Sequence, residues 1–140
     1  MQRKGSAVWT GGLKDGKGSV STGSGVLKET QYSFSTRFED GIGTNPEELI
    51  AAAHASCFTM AFSSQLEKAG MKAERVETTA TLTLEKLDAG FTITTIHLDT
   101  KARVPGAAAD AVLKAAENAK AGCPVSRVLN AKITMDAKVE

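Results

Sequence analysis

An almost uncharged segment in the middle of the chain limits the folds that this sequence can adopt. From Leu49 to Phe62 the residues carry no charge except a possible one on His54, and nearly all of them are apolar or small. The preceding stretch, Asn45–Glu48, is a strong helix start, because it supplies a favoured N-cap, a proline at the first helical position and a capping-box glutamate. We therefore predict a long helix here, and a helix that is apolar all round is expected to be buried on every side.

The predicted helix is long for a chain of this size. It should end at Lys68 or Ala69, because Gly70 is a typical C-terminal stop. About 24 residues at about 1.5 Å each span about 36 Å. A chain of 140 residues is expected to form one domain, residues 1–140, with an ordinary core. Since one sheet cannot cover every side of such a helix, we expect a second subunit to pack on the other side.

The remaining sequence predicts strands joined by hairpins, and two more helices. Before the long helix, a two-residue turn at Asp15-Gly16 should join strands Ala7–Leu13 and Lys17–Thr22, and Gln31–Phe38 alternates like a strand, with Arg37 on its solvated face. After the long helix we predict a strand with Val76, Ala80, Leu82 and Leu84 on one face, a turn at Asp88–Gly90 and a strand at Phe91–Val104 that ends at a break, Pro105-Gly106. Two helices should follow, one at Ala107–Ala121 closed by Gly122 and a short one from Cys123-Pro124 through Leu129. The last predicted element is a strand from Ile133 to Val139. This order predicts an α+β fold of mainly antiparallel sheets around a long buried helix.

The composition excludes several function classes. Apolar residues make up 41% and charged residues 24% of the chain, and the formal net charge is +1. We therefore expect neither a nucleic-acid partner nor a membrane partner. A glycine-rich run at Gly11–Lys17 resembles part of a phosphate-binding loop, but hairpin turns explain it better, since a strand rather than a helix should follow. The first residues contain no apolar signal-peptide core, which predicts a cytoplasmic protein.

The two cysteines, Cys57 and Cys123, are the candidates for chemistry. An even pair of thiols in a cytoplasmic protein suggests redox or metal chemistry rather than a structural disulfide. Judged from the residues alone, Cys123 should be the reactive thiol, because it is the predicted N-cap before a proline and faces the positive end of a helix. Two alternatives remain open: a zinc site using His54, both cysteines and His97, or two inert buried thiols in a non-catalytic dimeric stress protein.

Several motifs resemble one known family. The segments Thr36–Phe38, Gly43–Phe58 and Ala121–Ser126 are similar to those of the osmotically inducible protein C (OsmC) family, a relative of the organic hydroperoxide resistance proteins. The similarity also includes the turn at Asp88–Phe91 and the break at Val104–Gly106, so it covers essentially the whole chain. The resemblance implies an intertwined homodimer and a cysteine-based peroxidase that prefers organic hydroperoxides to hydrogen peroxide, with no metal or organic cofactor.

The same resemblance assigns roles to four residues. Cys57 matches the peroxidatic cysteine and Cys123 the resolving one, which reverses the choice made from the residues alone. Arg37 and Glu47 match the arginine and glutamate that hold and activate the thiolate. Because Glu47 precedes Cys57 by about 15 Å along one helix, it should reach that thiol from the other subunit. The resemblance further implies an external dithiol reductant, in related proteins a lipoyl-bearing protein.

Overall fold

The computed structural model describes all 140 residues, which form two compact units, residues 1–49 and residues 50–140. The strands are β1 (Gly5–Thr10), β2 (Lys17–Thr22), β3 (Thr30–Tyr32), β4 (Arg75–Leu87), β5 (Gly90–Arg103) and β6 (Lys132–Val139). The helices are α1 (Phe34–Phe38), α2 (Pro46–Lys68), α3 (Ala109–Gly122) and α4 (Pro124–Val128). None of the helices is both long and apolar enough to cross a membrane. The predicted α+β class is confirmed.

The first unit contains a three-stranded antiparallel sheet with the order β1-β2-β3. The predicted hairpin between β1 and β2 forms, but the predicted two-residue turn is wrong. Strand β1 ends at Thr10, which pairs with Lys17, so the connection is a longer loop that includes Leu13. Gly18 is required in β2, because a Cβ atom there would lie 2.5 Å from the Tyr32 ring and 2.7 Å from the ring of Trp9.

The prediction of one continuous strand at Gln31–Phe38 is also wrong. Strand β3 ends at Tyr32, and the short helix α1 begins after Ser33. Ser33 and Thr36 form a reciprocal capping box, in which the side chain of each accepts a hydrogen bond from the backbone N–H of the other. Because this local bonding offers the backbone an alternative to a sheet ladder, it overrides the alternating pattern.

Helix α2 has the predicted boundaries. Its start is capped by Asn45, whose Oδ1 accepts a hydrogen bond from the backbone N–H of Glu48 at 2.7 Å. The Glu48 carboxylate accepts instead from the Thr44 hydroxyl at 2.8 Å, so half of the predicted capping box forms. The helix ends at Lys68, and Gly70 follows with a φ of 77°, a conformation that glycine adopts without strain.

Within a single chain, α2 is buried on one face rather than on every side. The residues with negligible exposure recur every four positions, which places them on one helix face: His54, Phe58, Phe62 and Leu66. Met60, by contrast, has 79% of its surface exposed. Covering the exposed face requires something beyond this chain, and the second subunit remains a prediction.

The second unit contains the sheet β4-β5-β6, in which β4 and β5 are antiparallel and β5 and β6 are parallel. The predicted turn before Gly90 joins the first two strands, and the predicted mainly antiparallel arrangement is confirmed. Ile96 and Leu98 of β5, Phe58 and Phe62 of α2, and Val112 of α3 belong to one buried core. The predicted break after Val104 separates β5 from α3.

Helices α3 and α4 meet at Cys123. Gly122 is the last residue of α3 rather than a stop beyond it, and the Cys123 N–H closes that helix by donating to the Ala119 carbonyl at 2.9 Å. Cys123 also caps α4, as predicted, because its Sγ accepts a hydrogen bond from the backbone N–H of Ser126 at 3.5 Å. One fully buried residue thus ends one helix and begins the next.

Candidate active site

Two thiols from distant parts of the second unit lie in contact. Cys57 belongs to α2 and Cys123 lies at the junction of α3 and α4. Their Sγ atoms are 3.1 Å apart, with the thiol of Cys123 donating to the sulfur of Cys57. Neither cysteine is disulfide-bonded, and Cys123 is fully buried whereas Cys57 is half-buried. A further approach of about 1 Å would bring the sulfurs to disulfide bonding distance.

The surroundings of Cys57 do not by themselves produce a reactive thiolate. Burial raises the pKa of the Cys57 thiol, and the neighbouring Cys123 raises it further, whereas a hydrogen bond from the Val125 backbone lowers it. Since the thiolate is the nucleophilic form, Cys57 needs a nearby cation to be reactive at neutral pH.

His54 lies one helical turn before Cys57 and is completely buried. Its Nε2 is 2.7 Å from the Ser126 hydroxyl, so the side chain links α2 to α4. Its Nδ1 is buried and has no hydrogen-bond partner. Burial lowers the pKa of His54, which keeps the imidazole neutral. The buried imidazole thus has a hydrogen-bond partner at one of its two ring nitrogens.

Arg37 and Glu47 form an ion pair in the first unit. Arg37 donates a hydrogen bond from Nε to the Glu47 carboxylate oxygen Oε1 at 2.7 Å, and its Nη2 also lies 2.7 Å from that oxygen. The side chain of Arg37 is 40% exposed and that of Glu47 is 13% exposed. The second carboxylate oxygen, Oε2, is buried without a hydrogen-bond partner. Because this pair leaves the Arg37 Nη1 unused, both side chains keep polar atoms available for a ligand.

A cavity of about 290 Å³ lies beside Arg37 in the same unit. The other residues that line it are mostly aromatic: Trp9, Leu13, Tyr32, Ser33, Phe34 and Phe38. Within the lining, the rings of Trp9 and Tyr32 are 5.6 Å apart, and the Arg37 guanidinium lies 5.3 Å from the Phe38 ring. An apolar space next to a cation suits a molecule that has a hydrocarbon part and an oxygen-bearing head.

The zinc site considered from the sequence does not form. The cluster of three potential metal ligands within 4.8 Å of one another is His97, Asp99 and Asp136 on the second sheet, and no cysteine belongs to it. The Nδ1 of His97 is instead 2.7 Å from the Thr134 hydroxyl. His54 and His97 therefore do not join Cys57 and Cys123 in one ligand set.

The four residues that the resemblance singled out are thus brought together as two pairs. Arg37 contacts Glu47, and Cys57 contacts Cys123. The sequence did not point to Ser126 or to the aromatic cavity as parts of a site. Ser126 lies at the third position after the cysteine N-cap, where polar residues often serve a helix start, and this pattern was the available signal. The cavity had no local signal, because its lining comes from separate elements.

Comparison with known proteins finds a family model and full-length relatives that match this chain. A family model described as "OsmC-like protein" matches residues 39–138. The peroxiredoxin OsmC of Escherichia coli strain K12 is 52% identical over 140 residues, which are 100% of this chain and 98% of that protein. An organic hydroperoxide resistance protein-like protein of Staphylococcus epidermidis is 32% identical over 102 residues, 72% of each chain.

The fold is also that of solved structures. The crystal structure of an OsmC-like protein from Mycoplasma pneumoniae superposes with a TM-score of 0.76 at 12% identity, over 99% of this chain and 97% of that one. A likeness at such low identity concerns the fold, whereas the family model and the full-length relative concern the sequence. The family model over residues 39–138 and the 52% identical full-length relative show that this chain belongs to the OsmC-like protein family.

Proposed function

We propose that this protein is a thiol peroxidase that reduces organic hydroperoxides, and hydrogen peroxide less well, to the alcohol and water. The single observation that carries the proposal is the 3.1 Å separation of the Cys57 and Cys123 sulfurs. Two reduced thiols in contact can take up two electron equivalents by forming one disulfide. The names of the relatives, a peroxiredoxin and a protein of organic hydroperoxide resistance, agree with this chemistry.

The first step belongs to Cys57. Its thiolate attacks the terminal oxygen of the hydroperoxide, an S–O bond forms, the O–O bond breaks, and the alkoxide leaves and is protonated to the alcohol. Cys57 becomes a sulfenic acid. Since the half-buried Cys57 is more accessible than the buried Cys123, it is the better placed to meet a substrate. This assignment follows the family resemblance and not the helix-cap argument.

Arg37 supplies the positive charge that Cys57 lacks. A guanidinium beside the thiol would lower its pKa, and it would also stabilise the negative charge that develops on the departing oxygen. Glu47 orients Arg37 because its Oε1 accepts a hydrogen bond from Nε and forms an ion pair with Nη2. Its buried, unpaired Oε2 is a ready acceptor for the proton of the thiol or of the hydroperoxide, because a buried carboxylate oxygen is costly to leave unbonded.

The second step belongs to Cys123. It condenses with the Cys57 sulfenic acid, forms the Cys57–Cys123 disulfide and releases water, which protects Cys57 from over-oxidation. An external dithiol, such as a lipoyl-bearing protein, then restores both thiols by exchange. Neither step requires a metal or an organic cofactor. A cycle that depends on a reducing thiol pool fits a location in the cytoplasm.

A homodimer would complete the site. Met60 on α2 is 79% exposed and every residue of β1 is exposed, so large surfaces remain uncovered in one chain. Glu47 is too far from Cys57 along α2 to act on it within one chain. Because Arg37 is bonded to Glu47, the two should act together on the Cys57 of the partner subunit. Each chain is then a single domain, and the homodimer has two sites that the chains share.

The decisive experiment is a thiol count with an intact mass of the reduced protein after one equivalent of cumene hydroperoxide, beside hydrogen peroxide. We expect rapid loss of both thiols and a mass decrease of about two daltons, faster with the organic peroxide. The variant Cys123→Ser should complete one turnover and then over-oxidise at Cys57, and Cys57→Ser should be inactive. Persistence of both thiols in the presence of unused peroxide would refute the proposal.

A further inference from the structure

The short helix α4, which follows Cys123, has three polar attachments in the second unit that reach α2. The Cys123 thiol donates to Cys57, and the Val125 backbone also bonds the sulfur of Cys57. The third attachment joins the Ser126 hydroxyl to His54 at 2.7 Å. Helix α4 is five residues long and contains no fully buried residue, so packing alone holds it weakly.

Two of these attachments change during the proposed cycle. Both depend on the sulfur of Cys57, which becomes a sulfenic acid in the first step and is then the target of Cys123. The third attachment uses no sulfur. The contact between His54 and Ser126 can therefore persist when the bonds to Cys57 are being rearranged, and that is when Cys123 must stay in place.

The environment of His54 also points to a role other than stability. The side chain is completely buried, yet Nδ1 has no hydrogen-bond partner. An unsatisfied buried polar atom destabilises a fold, and such atoms call for an explanation at the place where they occur. An apolar side chain of similar size would avoid this cost but would not bond Ser126. The feature that distinguishes histidine here is thus its contact with α4.

We propose that His54 and Ser126 are positioning residues that hold Cys123 beside Cys57 while the disulfide forms. This inference rests on the function proposed above and deepens it. In the step concerned, the Cys123 thiolate attacks the sulfur of the Cys57 sulfenic acid, the S–S bond forms and the S–O bond breaks. The leaving hydroxide takes up the proton that the Cys123 thiol has lost, and the product is water, so no further oxidant or reductant is needed.

The test compares Ser126→Ala and His54→Ala with the wild-type protein. The first measurement equilibrates each protein with a dithiothreitol redox buffer and quantifies the Cys57–Cys123 disulfide. In both variants the equilibrium constant for forming the disulfide should be about tenfold smaller, which corresponds to a change of about 30 mV in reduction potential. The second measurement traps the sulfenic acid with dimedone after one equivalent of cumene hydroperoxide, and trapping should increase several-fold in both variants.

A matched control removes a different hydroxyl contact of α2. Thr59 of α2 donates to the Thr78 hydroxyl of β4 at 2.8 Å, a link that does not involve α4. The variant Thr78→Val should keep the wild-type reduction potential and the wild-type yield of dimedone-trapped sulfenic acid. If Ser126→Ala keeps the wild-type value of either quantity, the positioning role is refuted. Should His54→Ala fail to fold, Ser126→Ala decides alone, because it removes one hydroxyl from a half-buried position.

The two measurements also separate this inference from the proposed function. The redox titration uses no peroxide and reports on the geometry of the thiol pair alone. A wild-type protein that does not consume hydroperoxide would refute the peroxidase while the titration still tested the roles of His54 and Ser126. An active wild-type enzyme with an unchanged Ser126→Ala titration would refute the positioning role and leave the peroxidase standing.

Discussion

At the scale of single residues, the reactivity of Cys57 depends on a balance between burial and charge. Burial raises the pKa of its thiol, and Cys123 raises it further, while the Val125 backbone partly offsets both. A thiol in this state is mostly protonated at neutral pH, and a protonated thiol is a poor nucleophile. The proposed contribution of Arg37 is to reverse this balance in the assembled site.

The variant Arg37→Ala should therefore have a higher Cys57 pKa and a slower reaction with peroxide. Removing one charged donor from an active site typically costs about a hundredfold in rate. The measurement is the pH profile of alkylation in a Cys123→Ser background, where Cys57 is the sole thiol. Lys120→Ala, which removes a partly exposed ion pair with Glu117, is the control and should leave the profile unchanged. An unchanged profile in Arg37→Ala would contradict the assigned role.

His54 should make the stability of the fold depend on pH. Burial lowers the pKa of His54 below its ordinary value of 6.5, so the unfolded chain binds a proton more readily than the folded one. The contribution of the neutral His54 to the free energy of unfolding is thus fully present above about pH 6.5. It decreases as the pH falls through that value, by at most about 1.4 kcal/mol per pH unit. Urea unfolding at about pH 7.5 and about pH 5.5 should show a smaller loss for His54→Gln than for wild type. Equal losses in the two proteins would refute this account.

At the scale of elements, short local signals position the candidate site. The capping box between Ser33 and Thr36 turns the chain into α1, which carries Arg37 to the edge of the aromatic cavity. Strand β1 contributes Trp9 to the same cavity, and the Trp9 ring lies 5.6 Å from that of Tyr32. The cavity is thus formed by elements that are each short, and its selectivity should be easy to alter.

The variant Trp9→Ala should reduce the preference for organic peroxides. If the aromatic cavity holds the hydrocarbon part of the substrate, loss of the ring removes apolar contact with an organic peroxide but not with hydrogen peroxide. We expect the ratio of kcat/KM for cumene hydroperoxide over hydrogen peroxide to fall roughly tenfold. The neighbouring Val8 points to the other face of β1, so Val8→Ala is a matched control that should keep the ratio. The same ratio in Trp9→Ala and wild type would exclude this cavity as the substrate pocket.

At the scale of the whole molecule, the exposed face of α2 and the placement of Glu47 both favour an assembly of two chains. A shared site makes a sharp prediction for mixed dimers of Cys57→Ser and Arg37→Ala chains. Each variant alone should be inactive or slow. After mixing and subunit exchange, one site per mixed dimer combines an intact Cys57 with an intact Arg37 from its partner.

Random mixing should restore about a quarter of the wild-type activity, because about half of the dimers are mixed and each has one complete site. Peroxide consumption before and after exchange measures this directly. A mixture of Cys57→Ser with Cys57→Ala chains is the control and should stay inactive. No recovery in the first mixture would mean either that Arg37 acts within its own chain or that the chains do not exchange. Size-exclusion chromatography of chains with tags of different size detects mixed dimers and so separates these outcomes.

The sequence by itself determined the helix boundaries and caps, because these features depend on residues that are close together in the chain. The boundaries of α2 follow from Asn45, which caps its start, and Gly70, which ends it. The role of Cys123 as the cap of α4 was predicted for the same reason, since a cap involves residues within one turn. The strand predicted through Phe38 failed because two local signals competed there, and the capping box at Ser33 overrode the alternation.

Only the tertiary structure decided which side chains meet. Cys57 and Cys123 are 66 positions apart, and His54 and Ser126 are 72 positions apart, so no local pattern could pair them. Nor could a local pattern show that a single chain leaves one face of α2 exposed, with Met60 in solvent. Caps and turns are determined by bonds within a few residues, whereas contacts between thiols and the burial of a helix arise when distant elements pack together.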